Sequence, residues 1–356
     1  MEVVSFLAVA VGIGALISLH ELGHLLSARR SGIAVLRFSV GIGPVFWARW
    51  IGKTKYQICM YPVAGFVELV DGTDSEAKLA DRLREEGCPE RDIPYFLNPK
   101  VWHSSATEWQ RLKLAAAGPI VNFAVGFLLV FAFLAIFGTP SPARELRVAF
   151  TQPGQPAHTA GLRSGDTIVG LNGKEVTSIA DVLPTIERNE FLVLDVVRDG
   201  QPRRVEIQPV GGKIGFGEVW GSTPIGIGAA FVQAFHLVES MSTQQAVAIG
   251  GLFTGQTKLF SLQSVIGATQ IGGMTAQNCD GGYLMVLAGI SIGLGIVNLF
   301  PIPVLDGFTI VVSTFRMIHP KIVPQSAEKF MRLAWGMCLF ALIALLMARD
   351  LFLLFV

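Results

Sequence analysis

His20-Glu21-Leu22-Gly23-His24 closes an almost unbroken apolar run from Val3 to Leu19, and Leu25 and Leu26 follow it. Residues four apart share a helix face, so both imidazoles can grip one metal ion. Glu21 lies about 100° round the helix from His20, within reach of a water on that ion. H-E-x-x-H is a pattern of zinc hydrolases, with the glutamate as general base. Soluble examples carry it on an amphipathic helix. Here the surroundings read as a membrane span, where ionisable side chains are costly and usually functional. The alternative is a pair of histidines near a helix end, bonded to headgroups or neighbouring helices. A distant carboxylate weighs against it.

That carboxylate stands in Asn298-Leu-Phe-Pro301-Ile-Pro303-Val-Leu-Asp306-Gly307, inside another apolar stretch. Two prolines two apart cannot continue a regular helix. Irregular backbone at membrane depth is tolerated only where it lines protein or a wet cavity. Two histidines, one carboxylate and a water complete a tetrahedral catalytic zinc. Asp306 is therefore the candidate third ligand of a Zn2+ site with His20 and His24. Its other reading is a turn or cap residue before Gly307. Asn298 is a neutral polar group suited to orienting a scissile carbonyl or donating to an oxyanion. His103, His158, His236 and His319 stand in polar or loop contexts and are poor ligand candidates.

The elements that must position these residues follow from composition. Of 356 residues, 51% are hydrophobic and 15% charged, and the mean hydropathy is +0.52. Those values point to a polytopic membrane protein with water-exposed parts. The net charge of +1 gives no field that favours nucleic acid. Cys59, Cys88, Cys279 and Cys338 show neither C-x-x-C spacing nor a disulfide framework. The start, Met1-Glu2-Val3-Val4, lacks the basic region of a cleaved signal, so the first apolar segment is expected to be retained.

Four stretches are long and apolar enough to span: about Val3 to Leu26, Leu114 to Phe137, Tyr283 to Val312 and Ala334 to Val356. Arg29, Arg30, Arg37, Arg111 and Lys113 flank the first two spans on one side. Arg316, Lys321, Lys329 and Arg332 separate the last two. The positive-inside bias makes those loops cytoplasmic. Both termini and residues 139–282 are then extracytoplasmic, and the metal residues lie nearer the cytoplasmic side. The fold class expected is a polytopic α-helical membrane protein with four transmembrane helices, a membrane-associated β-hairpin and a small α+β domain.

Four regions follow. Residues 1–138 hold two spans, a cytoplasmic loop and a hairpin at 37–70. In that hairpin, Lys55–Pro62 and Gly65–Val70 read as two apolar strands joined by a turn containing Pro62 and Gly65. It either packs on the membrane face or dips toward the metal and offers an edge to an extended substrate. Residues 71–100 read as a solvated excursion without chemistry. After the linker Gly138-Thr-Pro-Ser-Pro142, residues 145–210 read as a mixed domain. Its strand Leu192–Val197 pairs across Asp199-Gly200 with Arg204–Ile207. Residues 211–282 form a linker with interfacial amphipathic segments, where Phe231, Phe235, Val238 and Met241 recur at helical spacing. Residues 283–356 carry the last two spans.

With its H-E-L-G-H at 20–24, Ala-Ala-Gly118-Pro119-Ile-Val-Asn122-Phe123 and the Asn298–Gly307 stretch, in that order, the chain resembles the site-2 protease family. These are intramembrane zinc metalloproteases, and the resemblance is to the bacterial regulator of sigma-E protease type. Gly154 to Gly173 resembles the core of circularly permuted bacterial PDZ domains. The resemblance implies zinc held by His20, His24 and Asp306, with Glu21 as general base. It implies a hairpin near the site and a bacterial inner-membrane location. It also implies cleavage of single-pass, anti-sigma-factor-like substrates after a first cut by another protease, with the lipid bilayer as the other partner. The outer domain would serve as a size filter or capture a free C-terminus. The chain departs from the family pattern in having room for one PDZ domain, in Phe308 after Leu305-Asp306-Gly307, and in Ser264-Val265-Ile266-Gly267 where Gly-Pro is usual. Rival readings are a non-catalytic zinc scaffold, against which an intact Glu21 argues, and a zinc transporter, which lacks further intramembrane His or Asp along a route.

Overall fold

The computed structural model describes residues 2–72, 74–142, 145–253, 281–319, 323–324, 327–338, 341 and 345. The chain forms two compact units, one built around residues 130–235 and the other around residues 6–129 and those from 287 onward. Among the described residues, three helices are long and apolar enough to cross a membrane: Ala8–Arg30, Glu108–Phe137 and Gly282–Leu299. Ser264–Gly267 lies outside the described residues, as does most of the expected fourth span, Ala334–Val356.

The second unit opens with α1 (Glu2–Arg30), whose last turn carries Arg29 and Arg30, cations that suit a helix C-terminus. Its 23-residue apolar part reaches about 35 Å at the α-helical rise. Strands β1 (Val35–Ile51) and β2 (Thr54–Leu69) follow. The turn between them is at Gly52, where φ is +60°, and not at Pro62 to Gly65, which the sequence suggests. Nor do the 55–58 and 65–68 segments pair with each other. Both flank β1, so that Arg37–Val40 faces Glu68–Gly65 on one side and Lys55–Ile58 on the other. Left-handed Gly41 (φ +84°) and Gly43 (φ +93°) break β1 after that stretch, a conformation that disfavours any residue with a Cβ. Beyond the break, Val45, Phe46, Met60 and Tyr61 are more than half exposed.

Helices α2 (Glu76–Glu85) and α3 (Ile93–Phe96) come next. Residues 71–100 are more than a solvated excursion. Leu79, Ala80, Leu83, Cys88, Ile93 and Phe96 bury a core against Ala34, Leu36 and Val70. An ion network ties α2 to the hairpin: Arg37 meets Glu86 at 2.6 Å, Lys55 meets Glu86 at 3.3 Å, and Arg82 bridges Glu68. Burial pushes the Glu86 carboxyl up, but Arg37, Lys55 and Arg82 outweigh it and hold it below the usual carboxylate range.

Helix α4 (Glu108–Phe137) contains Pro119 and packs closely on α1. A Cβ on Gly23 of α1 would fall 2.6 Å from the Ala117 carbonyl oxygen. Small residues of this kind let membrane helices approach.

The other unit carries β3 (Thr139–Pro142), β4 (Leu146–Thr151), α5 (Pro156–Thr159), β5 (Thr167–Leu171), β6 (Lys174–Glu175), α6 (Ile179–Glu187), β7 (Leu192–Arg198), β8 (Gln201–Ile207), β9 (Phe216–Glu218) and β10 (Trp220–Thr223). The main sheet has the order β8-β7-β5-β4-β9, with β6 beside β5, and β3 pairs with β10. Strand β9 brings residues beyond 210 into that sheet. Asp199 and Gly200, at φ of 49° and 75°, close the β7–β8 hairpin as their dipeptide predicts. Ser178 and Asp181 form a capping box on α6. Alternating residues such as Leu192, Leu194 and Val196 join Val182 and Ile186 of α6 in one buried core.

Helix α7 (Ile227–Phe253) is continuous through the predicted amphipathic stretch. Its Phe231 ring meets Phe131 edge-on, with centroids 5.9 Å apart. Then α8 (Gly282–Leu299) and α9 (Asp306–Ile318) occupy the expected third span. The two prolines separate them: Ile302 N–H bonds the Phe300 carbonyl and Leu305 N–H the Ile302 carbonyl, each at 2.8 Å.

Candidate metal centre

His20 and His24 sit one turn apart on α1 and are both buried. Their Nε2 atoms lie 3.1 Å from each other. Asp306 is the first residue of α9, where the helix dipole favours a carboxylate. Its Oδ2 is 3.3 Å from each Nε2. These three residues can hold a metal ion together.

The three donors fit zinc. Nitrogen and oxygen ligands bond zinc at about 2.0–2.1 Å, so the edges of a tetrahedron of ligands are about 3.3 Å long. The observed triangle of 3.1, 3.3 and 3.3 Å has that size. Asp306 Oδ2 is also buried with no hydrogen-bond partner, an arrangement that needs an explanation in a native structure. A cation held by His20, His24 and Asp306 would supply it.

Each imidazole is anchored through its far nitrogen. His24 Nδ1 lies 2.8 Å from the Leu114 carbonyl oxygen, and His20 Nδ1 lies 2.9 Å from the side-chain amide of Asn122. Such partners orient metal-binding histidines. Both come from α4, which passes the histidines at Gly118. A Cβ there would lie 2.5 Å from His20 Cε1 and from His24 Nε2. Gly307 is constrained in the same way, because a Cβ would collide with the Leu299 carbonyl oxygen. Phe308 is buried with the Arg332 guanidinium 5.3 Å over its ring.

Glu21 lines the same cavity of about 850 Å³ as His20, His24 and Asp306. Strand β2 runs close to it: a Cβ on Gly65 would sit 3.3 Å from Glu21 Cγ and 2.9 Å from the Ser39 carbonyl oxygen. Asn298, on the last turn of α8, lies in the wall of this cavity. The cavity also reaches polar side chains, among them Asp71, His103, Arg111 and Lys329.

Of the histidines set aside, His103 meets Asp71 at 3.5 Å and His236 meets Glu239 at 3.9 Å. Sequence reasoning gave no separate role to Asn122 or Gly118. The available signal was an asparagine and a glycine-proline pair inside a long apolar span, where polar side chains are rarely idle.

The sequence model of Peptidase family M50 matches residues 8–343. A Rhizobium meliloti protein provisionally named a zinc metalloprotease is 30% identical, over 91% of this chain and 90% of its own length. The regulator of sigma-W protease RasP of Bacillus subtilis is 26% identical over 93% and 94%. The zinc metalloprotease RasP of Bacillus licheniformis is 27% identical over 89% and 91%. With three apolar helices of spanning length and a donor triangle of zinc dimensions, the chain belongs to peptidase family M50, as a membrane-embedded zinc metalloprotease.

Proposed function

We propose that this protein is an intramembrane endopeptidase that cuts the transmembrane segment of membrane-anchored regulatory proteins, with His20, His24 and Asp306 holding its zinc. The observation that carries the reading is the buried Asp306 Oδ2, without a hydrogen bond and 3.3 Å from both Nε2 atoms. Zinc bound there supplies a Lewis acid that polarises a carbonyl and acidifies a water. Glu21 takes the proton of the attacking water and returns it to the leaving nitrogen as the C–N bond breaks. Asn298 donates its amide N–H to the carbonyl oxygen as negative charge develops there. The outer edge of β2 near Gly65 gives an unwound substrate the main-chain hydrogen bonds that its helix loses.

The whole chain is read as four spans in a bacterial inner membrane, with both termini outside and the metal nearer the cytoplasm. Residues 1–138 and 283–356 form the membrane part, and residues 211–282 an interfacial connection. The 145–210 region is an extracytoplasmic PDZ domain that screens substrates already trimmed by another protease. Its β7–β8 hairpin and capped α6 support this assignment. A relative named regulator of sigma-W protease fits a substrate of the anti-sigma-factor type.

Glu21→Gln tests the mechanism. The purified variant should bind zinc as the parent does and cleave a model transmembrane peptide at least 1000-fold more slowly, the scale of general-base loss. Cleavage within tenfold of the parent would remove Glu21 from the reaction. Absence of zinc from the parent would remove the centre itself.

A further inference from the structure

We propose that Asn122 is a positioning residue that holds His20 in the Nδ1–H form, with its Nε2 lone pair turned to the metal. The inference rests on the reading of His20 as a zinc ligand. His24 is settled by main chain, since the Leu114 carbonyl only accepts and its Nδ1 must therefore carry the proton. Among the described residues no carbonyl anchors His20, and its Nδ1 faces the Asn122 amide at 2.9 Å.

An amide offers two opposite faces to an imidazole. With Nδ2 donating to Nδ1, the His20 proton sits on Nε2, between His24 and Asp306, where it blocks the metal. A half-turn of the amide exchanges Oδ1 and Nδ2. Oδ1 then accepts from Nδ1–H, and Nε2 is left as a lone pair in the donor triangle. The half-turn breaks no hydrogen bond at Oδ1, because that atom is buried without a hydrogen-bond partner.

The rest of Asn122 is held for this task. The residue is fully buried. Its main-chain carbonyl accepts a 2.8 Å bond from Ser291 Oγ of α8. A Cβ on Gly295 of α8 would lie 3.3 Å from Asn122 Cβ, so the asparagine is wedged between two helices. A buried amide costs stability unless it is bonded, and at this depth its side chain contacts the metal-site histidine.

The test uses full-length protein in detergent. Zinc affinity is measured by competition with a fluorescent chelator, and site geometry by the visible spectrum of the cobalt(II)-loaded form. Asn122→Asp keeps an acceptor and should stay within threefold of the parent. Asn122→Leu keeps the volume without an acceptor and should bind zinc 10- to 100-fold more weakly, the usual effect of losing such a partner, with an altered cobalt spectrum. Binding by Asn122→Leu within threefold of the parent overturns the proposal. So does a loss beyond tenfold in folded Asn122→Asp. The aspartate arm decides alone if the leucine variant does not fold. His20→Ala separates the underlying reading: zinc binding that survives it denies His20 as a ligand, whereas zinc lost there but kept in Asn122→Leu rejects only the role of Asn122.

Discussion

At Gly118 a hydrogen atom is all that α4 can present to the two imidazoles, since a methyl carbon would lie 2.5 Å from atoms of both. The conflict is with two rings held at their far nitrogens by Leu114 and Asn122, and neither ring can retreat without breaking its bond. Gly118→Ala should therefore insert normally and yet lose at least tenfold in zinc affinity and in peptide cleavage. Chelator competition and a transmembrane-peptide assay check this, and an alanine variant with the parent's zinc affinity would show that the rings have freedom the packing denies them. The candidate donors were legible from H-E-x-x-H and from Asp306 after two prolines, because ionisable groups in apolar sequence stand out. The anchors were not. A main-chain carbonyl leaves no mark in sequence, and Asn122 reads as one polar residue among apolar neighbours.

Among the elements, the sheet of the 145–218 region offers a measurable pH dependence. Asp166 is fully buried just before β5 and makes a 2.7 Å ion pair with Arg198 at the end of β7. Burial pushes its carboxyl up, but the guanidinium and the Arg163 N–H prevail and hold it below the usual carboxylate range. A carboxyl lowered on folding stabilises above its unfolded pKa, about 3.9, and that stability drains away as pH falls through the folded value. Asp166→Asn leaves Arg198 without its charge partner and should cost roughly 3 kcal/mol at pH 7. Thermal melts between pH 3 and 7 should show the parent losing more of its stability to acid than the variant. Parallel acid profiles would deny the pair this role. The Asp199-Gly200 hairpin was readable because its turn type demands those residues. The register of β1 against both halves of β2 was not, because Gly41 and Gly43 break the alternation that would reveal it.

For the molecule as a whole, zinc is predicted to be a stabiliser as well as a reagent, because the unfolded chain cannot hold donors from α1 and α9 together. Free zinc at 100 times its Kd contributes about 2.7 kcal/mol. Chelation should lower the Tm of the full-length protein by several degrees and zinc should restore it, whereas Asp306→Ala should melt alike with and without the metal. An identical response in parent and variant would place the stabilising metal elsewhere. By itself the sequence determined the membrane class, three of the four expected spanning helices and the zinc chemistry, and it named candidate residues for holding the metal. Each of those is written in local composition or in spacing along one helix. Only the tertiary structure decided which groups turn the imidazoles, which glycines admit them, and that one stretch of β1 is flanked on both sides by β2. Those facts depend on contacts between residues such as His20 and Asn122, 102 positions apart, and close packing of separate helices fixes such neighbours where no local pattern records them.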